Sequence, residues 1–403
     1  MRAWFEHPLL APLRAMAQPG SEPVWTGELY NMKLALHPAQ FYAQGALVLL
    51  AVLYLVASLL GRWRNTRRVA PFAAVLMHAM QGEFAQVGAS ADAPPGLVWN
   101  GASDALLFCT GRRGVDTLHA DFALARRQDP LYMVGSLLFD VFAMPTVPTA
   151  LGDRLTLVLT LPAAEKRDGG VFAVVHKSAL QRVHSARYDM RFARVADGEG
   201  VSAARGLNEQ LAFASEAGDL TDRWLGEIGA RGDAQRRRTG LVDALNASAL
   251  PWFESLLWTD QPASRSDAES GVPSGCVERI ELTLRLPTSR ADAEACMPLV
   301  TAVLDMADAL HLSATGRDRC MRLRPETVAS LRRTRDEVDA AMREALGREE
   351  KDEQELARDA ERRRAQKEKF DMLSPAEQAR RKEVERKRAL RKQQGQGSKM
   401  RRR

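Results

Sequence analysis

The sequence has few of the residues that build covalent or metal scaffolds. Its 403 residues contain four cysteines, Cys109, Cys276, Cys296 and Cys320, with no CxxC pair and no histidine at zinc-ligand spacing. This spacing argues against a disulfide framework and against a structural zinc site. We therefore predict four reduced thiols in a hydrophobic core.

The short motifs of common enzymes are also missing. There is no GxxxxGK[ST], no GxGxxG after a strand, no HExxH and no GxSxG. His176 and His184 lie eight residues apart, too far for two metal ligands on one helix face. Asp219, Asp222 and Glu227 are more typical of a solvated helix face than of catalytic carboxylates. We predict a protein that is not an enzyme, with no catalytic residue, cofactor or metal.

One segment near the N-terminus has no charge at all. The twenty residues from Phe41 to Leu60 are uncharged, and as a helix they cover about 30 Å, the thickness of a hydrocarbon core. Tyr42 and Trp63 lie at its two ends, where an aromatic belt is expected. A buried helix of a soluble core seldom runs so long without a charge. The segment therefore predicts a single transmembrane helix.

The charges around this segment predict its orientation. Arg62, Arg64, Arg67 and Arg68 follow it closely, whereas the nearest basic residue on the other side is Lys33. An excess of Lys and Arg marks the cytosolic side of a membrane helix. We expect residues 1–40 to be a short lumenal segment and everything after Gly61 to be cytosolic.

Residues 61–324 have the mixed periodicity of an α+β domain. Alternating apolar residues predict strands in 116–124, 154–162 and 279–287, and 169–177 predicts a more buried strand. Helical patterns lie at 178–188, at 207–228 with breaks, and at 291–312. Strands and helices without regular alternation predict a mainly antiparallel sheet.

Residues 325–403 are predicted to form two charged, coiled-coil-like helices with a hinge near Ser374. An apolar stripe that includes Val328 and Leu331 ends near Gly347, and an S-x-x-E box at Ser374 starts the second helix. Residues 378–403 contain twelve Lys or Arg and two Glu, so they hold more positive charge than the whole chain's net of +6. The basic residues are Arg380, Arg381, Lys382, Arg386, Lys387, Arg388, Arg391, Lys392, Lys399, Arg401, Arg402 and Arg403.

Three interpretations of this basic end compete: a solvated charge run without a partner, a nuclear or nucleolar RNA-binding arm, and an arm that binds RNA phosphates on a complex docked at the membrane. Lipid phosphates are a further partner, although the helix lacks an apolar face for the interface. The second interpretation would make the chain a soluble or nucleolar RNA-binding protein with 41–60 in its core. The predicted span favours the third, with the ribosome as the polyanion.

The order of segments resembles the calumin family, also called coiled-coil domain-containing protein 47. The resemblance runs from about Phe41 to the end. It is most specific in ALLFCTGRRG followed by LARRQDPL, in GGVFAVVHKSALQRV, in EAGDLTDRWL and in FESLLWTDQPA. These stretches contain no catalytic motif, so their weight lies in order and spacing.

This resemblance implies a non-enzymatic subunit of the PAT complex in the endoplasmic reticulum membrane. Such proteins pair with the small membrane subunit Asterix, lie beside the Sec61 translocon and contact ribosomal RNA near the tunnel exit. The complex shields transmembrane helices with polar residues, which are costly in hydrocarbon until they are paired. Animal members also bind calcium through an acidic lumenal stretch. Residues 1–40 here contain only Glu6, Glu22 and Glu28, so we do not extend calcium binding to this chain.

Overall fold

The computed structural model describes most of the chain between Trp25 and Asp371 as two compact units. One unit ends at Leu331 and the other contains Arg332 onward. The described backbone covers 25–29, 32–36, 38–90, 94–141, 152–162, 169–226, 240–247, 249–264, 277–315 and 323–371.

An antiparallel sheet is the centre of the first unit. A hairpin of β1 (Trp25–Leu29) and β2 (Met32–Leu36) forms a separate two-stranded sheet. In the main sheet, neighbouring strands follow the spatial order β3-β5-β6-β7-β12-β11-β8-β10-β9, and β4 pairs with β5. The strands are β3 (Gln86–Val87), β4 (Val98–Asn100), β5 (Asp104–Arg112), β6 (Val115–Ala123), β7 (Arg154–Thr160), β8 (Val171–His176), β9 (Arg194–Ala196), β10 (Leu211–Ser215), β11 (Phe253–Thr259) and β12 (Arg279–Arg285).

The two halves of this sheet differ in how they are covered. Strands β6 and β7 bury alternate residues, because helices cover only one of their faces. In β8, β10 and β11 every residue is buried, apart from the half-exposed His176 at the end of β8. The second half of the sheet is therefore enclosed on both faces.

Two long helices cover the sheet on the side of the main core. They are α1 (Pro38–Glu83) and α7 (Arg290–Ala314). Phe72 of α1 meets Phe122 of β6 edge to face, with ring centroids 6.4 Å apart. Ser289 caps α7 by accepting a hydrogen bond from the Asp292 amide at 3.1 Å.

Short helices complete the first unit. They are α2 (Pro130–Val141), α3 (Lys177–Ala186), α4 (Val201–Ala204), α5 (Gly218–Leu225) and α6 (Leu241–Asn246), with a 3-10 turn at Asp189–Arg191. Trp224 of α5 packs edge to face on Trp258 of β11, 5.6 Å between ring centroids. Both rings belong to the same hydrophobic core as the buried residues of α1 and α7, so this contact extends the main core along the enclosed half of the sheet.

The last described helix is α8 (Pro325–Asp371), 47 residues long. Its first turns belong to the first unit, where Leu331 is buried and Val328 packs on the core. The part from Arg332 onward belongs to the second unit and is rich in charge of both signs; an ion pair at 2.6 Å joins Glu344 to Arg348 one turn later.

The structure confirms the antiparallel sheet and corrects one of the predicted helices. The strands predicted in 116–124, 154–162, 169–177 and 279–287 correspond to β6, β7, β8 and β12. The helical prediction for 207–228 is wrong in its first half, where Leu211–Ser215 is a strand. Burial on both faces removes the alternation that would have identified this strand.

Candidate functional site

Helix α1 changes its surroundings at Gly61. Before it, large apolar side chains from Leu47 to Leu60 are 40 to 68% exposed, and 6% of the most apolar 18-residue window is buried. From Gly61 onward a buried stripe runs through Asn65, Val69 and Leu76 at helical spacing. One continuous helix therefore joins an apolar exposed segment to the core of the domain. Helix α7 is also long and apolar enough to cross a membrane, but half of its window is buried.

The four arginines that follow the apolar segment lie on the exposed faces of α1. The guanidinium of Arg67 stacks over the ring of Trp63, 4.1 Å from the ring centroid. Arg68 instead donates from Nε to Asp153 Oδ2 at 2.9 Å. Arg62 and Arg64 are exposed on the same helix. The predicted membrane-orienting cluster thus contains at least one arginine with a structural partner.

Gly61 allows the connection between β6 and α2 to touch the helix backbone. A Cβ atom at this position would lie 2.1 Å from the carbonyl oxygen of Arg127 and 2.6 Å from the Gln128 nitrogen. Real Cβ atoms do not come so close to backbone atoms. Glycine is therefore required for this close approach.

Asn65, one turn further along α1, fixes the same connection by hydrogen bonds. Its fully buried side chain donates from Nδ2 to the carbonyl oxygens of Ala102 at 2.8 Å and Ala125 at 3.1 Å. Its Oδ1 accepts from Arg127 Nη1 at 2.9 Å. The amide has partners on both ends, as a buried polar group needs.

Asp153 closes the cluster from the start of β7. Arg127 binds both carboxylate oxygens, at 2.7 and 2.9 Å, in the bidentate geometry that suits a guanidinium. Arg68 and the Ala125 amide donate to the same carboxylate, at 2.9 and 3.1 Å. Burial alone would raise the pKa of Asp153, but the bonds from Arg127, Ala125 and Arg68 outweigh burial and hold this pKa below its ordinary value. The carboxylate is therefore charged at neutral pH and ties α1, the connection and the sheet together.

A cavity of about 440 Å³ opens beside Asp153. Glu254 at its wall pairs with Arg154 at 3.0 Å and also with Arg182. The lining residues include four arginines and two carboxylates, which are Arg68, Arg154, Arg182, Arg285, Asp153 and Glu254. The arginines outnumber the carboxylates, so the cavity suits an anion better than a cation.

The described residues contain no group of three or more His, Cys, Asp or Glu side chains that could hold a metal ion. Cys109 and Cys296 are free and buried, as predicted, and burial raises the pKa of each thiol to about 12. Cys276 and Cys320 lie outside the described residues.

The basic end lies outside the described residues, so the twelve cations from Arg380 to Arg403 stay a prediction from sequence. The start of α8 is held to the domain by the buried Leu331, by Val328 and by a polar contact. Asp219, one of the carboxylates considered for catalysis, accepts hydrogen bonds from Arg324 Nε at 3.0 Å and from the Thr327 hydroxyl. This pairing lowers the pKa of Asp219. Its role here is to hold the start of α8.

Gly61, Asn65, Arg127 and Asp153 form the junction between α1 and the domain. The sequence patterns did not identify these residues. In the sequence, Gly61 marks only the end of the apolar run. Arg127 is only one residue of LARRQDPL, a stretch that carries the resemblance to the family. A usable signal is present: between Pro130 and Gly152 the sequence has a single charged residue, Asp140, and the opposite charges of Arg127 and Asp153 lie on either side.

The fold and the junction define a class of protein: an antiparallel α+β domain built directly on the end of a helix that is a candidate membrane span. Comparison with known families agrees with this class. The model of the family described as PAT complex subunit CCDC47 matches residues 40–392, and the chain belongs to this family.

A curated relative is a UPF0674 endoplasmic reticulum membrane protein of Schizosaccharomyces pombe. It is 26% identical over 148 residues, which are 36% of this chain and 39% of that protein. The chain thus matches about two fifths of the length of that relative.

Proposed function

We propose that this chain is a non-enzymatic, ribosome-binding accessory subunit of the endoplasmic reticulum translocon, which assists insertion and folding of multipass membrane proteins. Membership of the PAT complex subunit family carries the proposal. The endoplasmic reticulum membrane location of the yeast relative supports it.

In this proposal α1 crosses the membrane once, with its first residues lumenal and the domain cytosolic. The exposed apolar side chains from Leu47 to Leu60 support the span, because in water they would form a large unfavourable surface. The soluble alternative requires the same segment in a core, and its exposure disfavours that alternative. Resistance of the full chain to alkaline carbonate extraction tests the span; release into the supernatant would refute it.

Ribosome binding is assigned to the basic end. Residues 378–403 have twelve cations and two carboxylates, whereas residues 332–371 have nearly equal numbers of both signs. Only the former segment offers a polyanion a net attraction. Its partner in this proposal is ribosomal RNA near the tunnel exit, with an Asterix-like small membrane subunit and the Sec61 channel as neighbours in the membrane.

A matched pair of variants tests this assignment. In one, the eight cations of the runs Arg380–Lys382, Arg386–Arg388 and Arg391–Lys392 are replaced by Gln; in the other, the eight cations from Arg332 to Arg362 are replaced in the same way. Co-sedimentation with ribosomes from detergent-solubilised microsomes is then measured against salt. We expect the first variant to bind weakly and with little salt dependence. The slope of the logarithm of the binding constant against the logarithm of the salt concentration becomes shallower by about 0.7 to 0.9 for each phosphate that is no longer neutralised. Equal binding by the two variants would refute the assignment.

A further inference from the structure

We propose that α2 is a second membrane element: it lies in the hydrocarbon of the leaflet that contains the C-terminal end of the span, beside α1, with its exposed apolar side chains against lipid acyl chains. The inference rests on the proposed membrane span of α1.

The first observation is that α2 exposes large apolar side chains. Leu131, Met133 and Val134 are 74, 50 and 57% exposed. The helix sequence PLYMVGSLLFDV has one charged residue, Asp140. Large apolar side chains with this exposure are grouped in two places in the described part of unit one, along α1 before Gly61 and here.

The second observation is where α2 begins. The connection that leads to it runs along α1 towards the apolar segment. The Ala125 carbonyl accepts from Asn65, the Arg127 carbonyl lies against Gly61, and Asp129 Oδ1 accepts from the Tyr54 hydroxyl at 3.3 Å. Tyr54 is six residues before Leu60, which places it about 9 Å inside the end of the span. The start of α2 is therefore held beside the last turns of the proposed span.

The third observation is that several backbone groups of this connection are paired within the protein. Backbone groups in hydrocarbon must be paired within the protein. Besides the contact from Asn65, the Ala125 amide donates to Asp153, the Arg127 amide to Ala125 O at 2.8 Å, and the Asp129 amide to Arg126 O at 3.2 Å. Asp129 also caps α2, accepting from the Tyr132 amide at 3.1 Å, and Pro130 occupies the first helical position.

The fourth observation is a pair of aromatic residues under arginines. Arg126 lies over the Tyr132 ring at 5.1 Å from its centroid, as Arg67 lies over Trp63. Tyr and Trp with neighbouring cations are typical of the boundary between hydrocarbon and headgroups. One pair on α1 and one beside α2 indicate that both helices meet the same boundary.

Lipid is the occupant we infer for this face, because the chain that leads into α2 contacts α1 at Tyr54 and at Gly61, within and at the end of the exposed apolar segment. A transmembrane helix of another protein, or a second copy of this chain, is the competing occupant. Reconstitution of the purified full chain into phosphatidylcholine vesicles distinguishes them, since no other protein is present there and dilution suppresses contacts between copies.

The test uses single cysteines labelled with an environment-sensitive fluorophore. Leu131→Cys, Met133→Cys and Val134→Cys are made in a Cys276→Ser, Cys320→Ser background; Cys109 and Cys296 are buried and stay unlabelled. Leu53→Cys, 60% exposed on α1, is the lipid control. Leu312→Cys is the water control, because it lies beside Glu83 at the end of α1 farthest from the span.

We expect the α2 positions to be quenched by lipids with nitroxides on their acyl chains, as at Leu53, and not by aqueous iodide. Quenching by iodide to the level of Leu312 would overturn the inference, and so would protection from both quenchers, which would mean that protein covers the face. Absence of lipid quenching at Leu53 itself would refute the span. Failure of the proposed anchor and failure of this inference are therefore distinguishable.

Discussion

Replacement of Gly61 by alanine is the sharpest perturbation of the junction between α1 and the domain. The new methyl carbon would lie 2.1 Å from the Arg127 oxygen, so relief requires a shift of more than about 1 Å to reach an ordinary contact of about 3.5 Å. Such overpacking costs about 1 to 3 kcal/mol. The better helix propensity of alanine offsets about 0.5 to 1 kcal/mol of this.

Gly82→Ala is the matched control on the same helix, because nothing lies within 4 Å of its added Cβ. We expect Gly61→Ala to lower and Gly82→Ala to maintain or raise the free energy of unfolding, a difference of about 2 kcal/mol and roughly 4 to 8 °C in Tm. Thermal unfolding of the full chain in nanodiscs, followed by tryptophan fluorescence, measures it. Equal Tm values for the two variants would show that the contact at Gly61 does not hold the junction.

Three further predictions concern the junction, the buried thiols and the start of α8. Asp153→Asn should destabilise the domain by about 3 kcal/mol, since it leaves Arg127 without its buried partner, as measured by urea unfolding in nanodiscs. The pKa of Asp153 is lowered on folding, so the stabilisation from this carboxylate is complete above the unfolded pKa of about 3.9 and is lost as the pH falls. The difference in free energy of unfolding between wild type and Asp153→Asn should therefore disappear in acid. A difference that stays constant with pH would contradict this. Cys109 and Cys296 should resist maleimide in the folded chain and react after unfolding; labelling of both at native pH would show that the core opens. Arg324→Ala should leave Tm almost unchanged, because the Arg324 side chain is exposed and its ion pair with Asp219 is screened by water; a clear loss in Tm would mean that the start of α8 contributes more to the domain.

The alternating strands of the sheet were predictable where only one face is covered, and β8 was predicted from its short apolar run. Strands such as β6 and β7 are recognisable by alternation, because every second residue faces away from the core. Strand β11 has the sequence FESLLWT and is buried throughout, so it carries no period of two. Its Glu254 is tolerated because Arg154 and Arg182 reach it from other elements, and a single sequence does not show such distant pairing.

The exposed apolar helix was predictable from the sequence, but the junction was not. The apolar run and its arginines are local features, and the helix was expected near the position where α1 is found. The contacts of Gly61, Asn65 and Tyr54 join residues that are 37 to 75 positions apart. The depth at which α2 begins depends on these contacts, so α2 was not foreseen as a membrane element.

The central claim, a membrane-anchored protein whose basic end binds the ribosome, is tested most directly by photo-cross-linking on native microsomes. A diazirine side chain is placed at Leu390, between Arg388 and Arg391, and in a matched control at Leu356, which is 70% exposed in the charge-balanced part of α8. We predict adducts with ribosomal RNA from position 390 that disappear at high salt and are absent from position 356. Adducts with lipid alone, or RNA adducts of equal yield from both positions, would contradict the account.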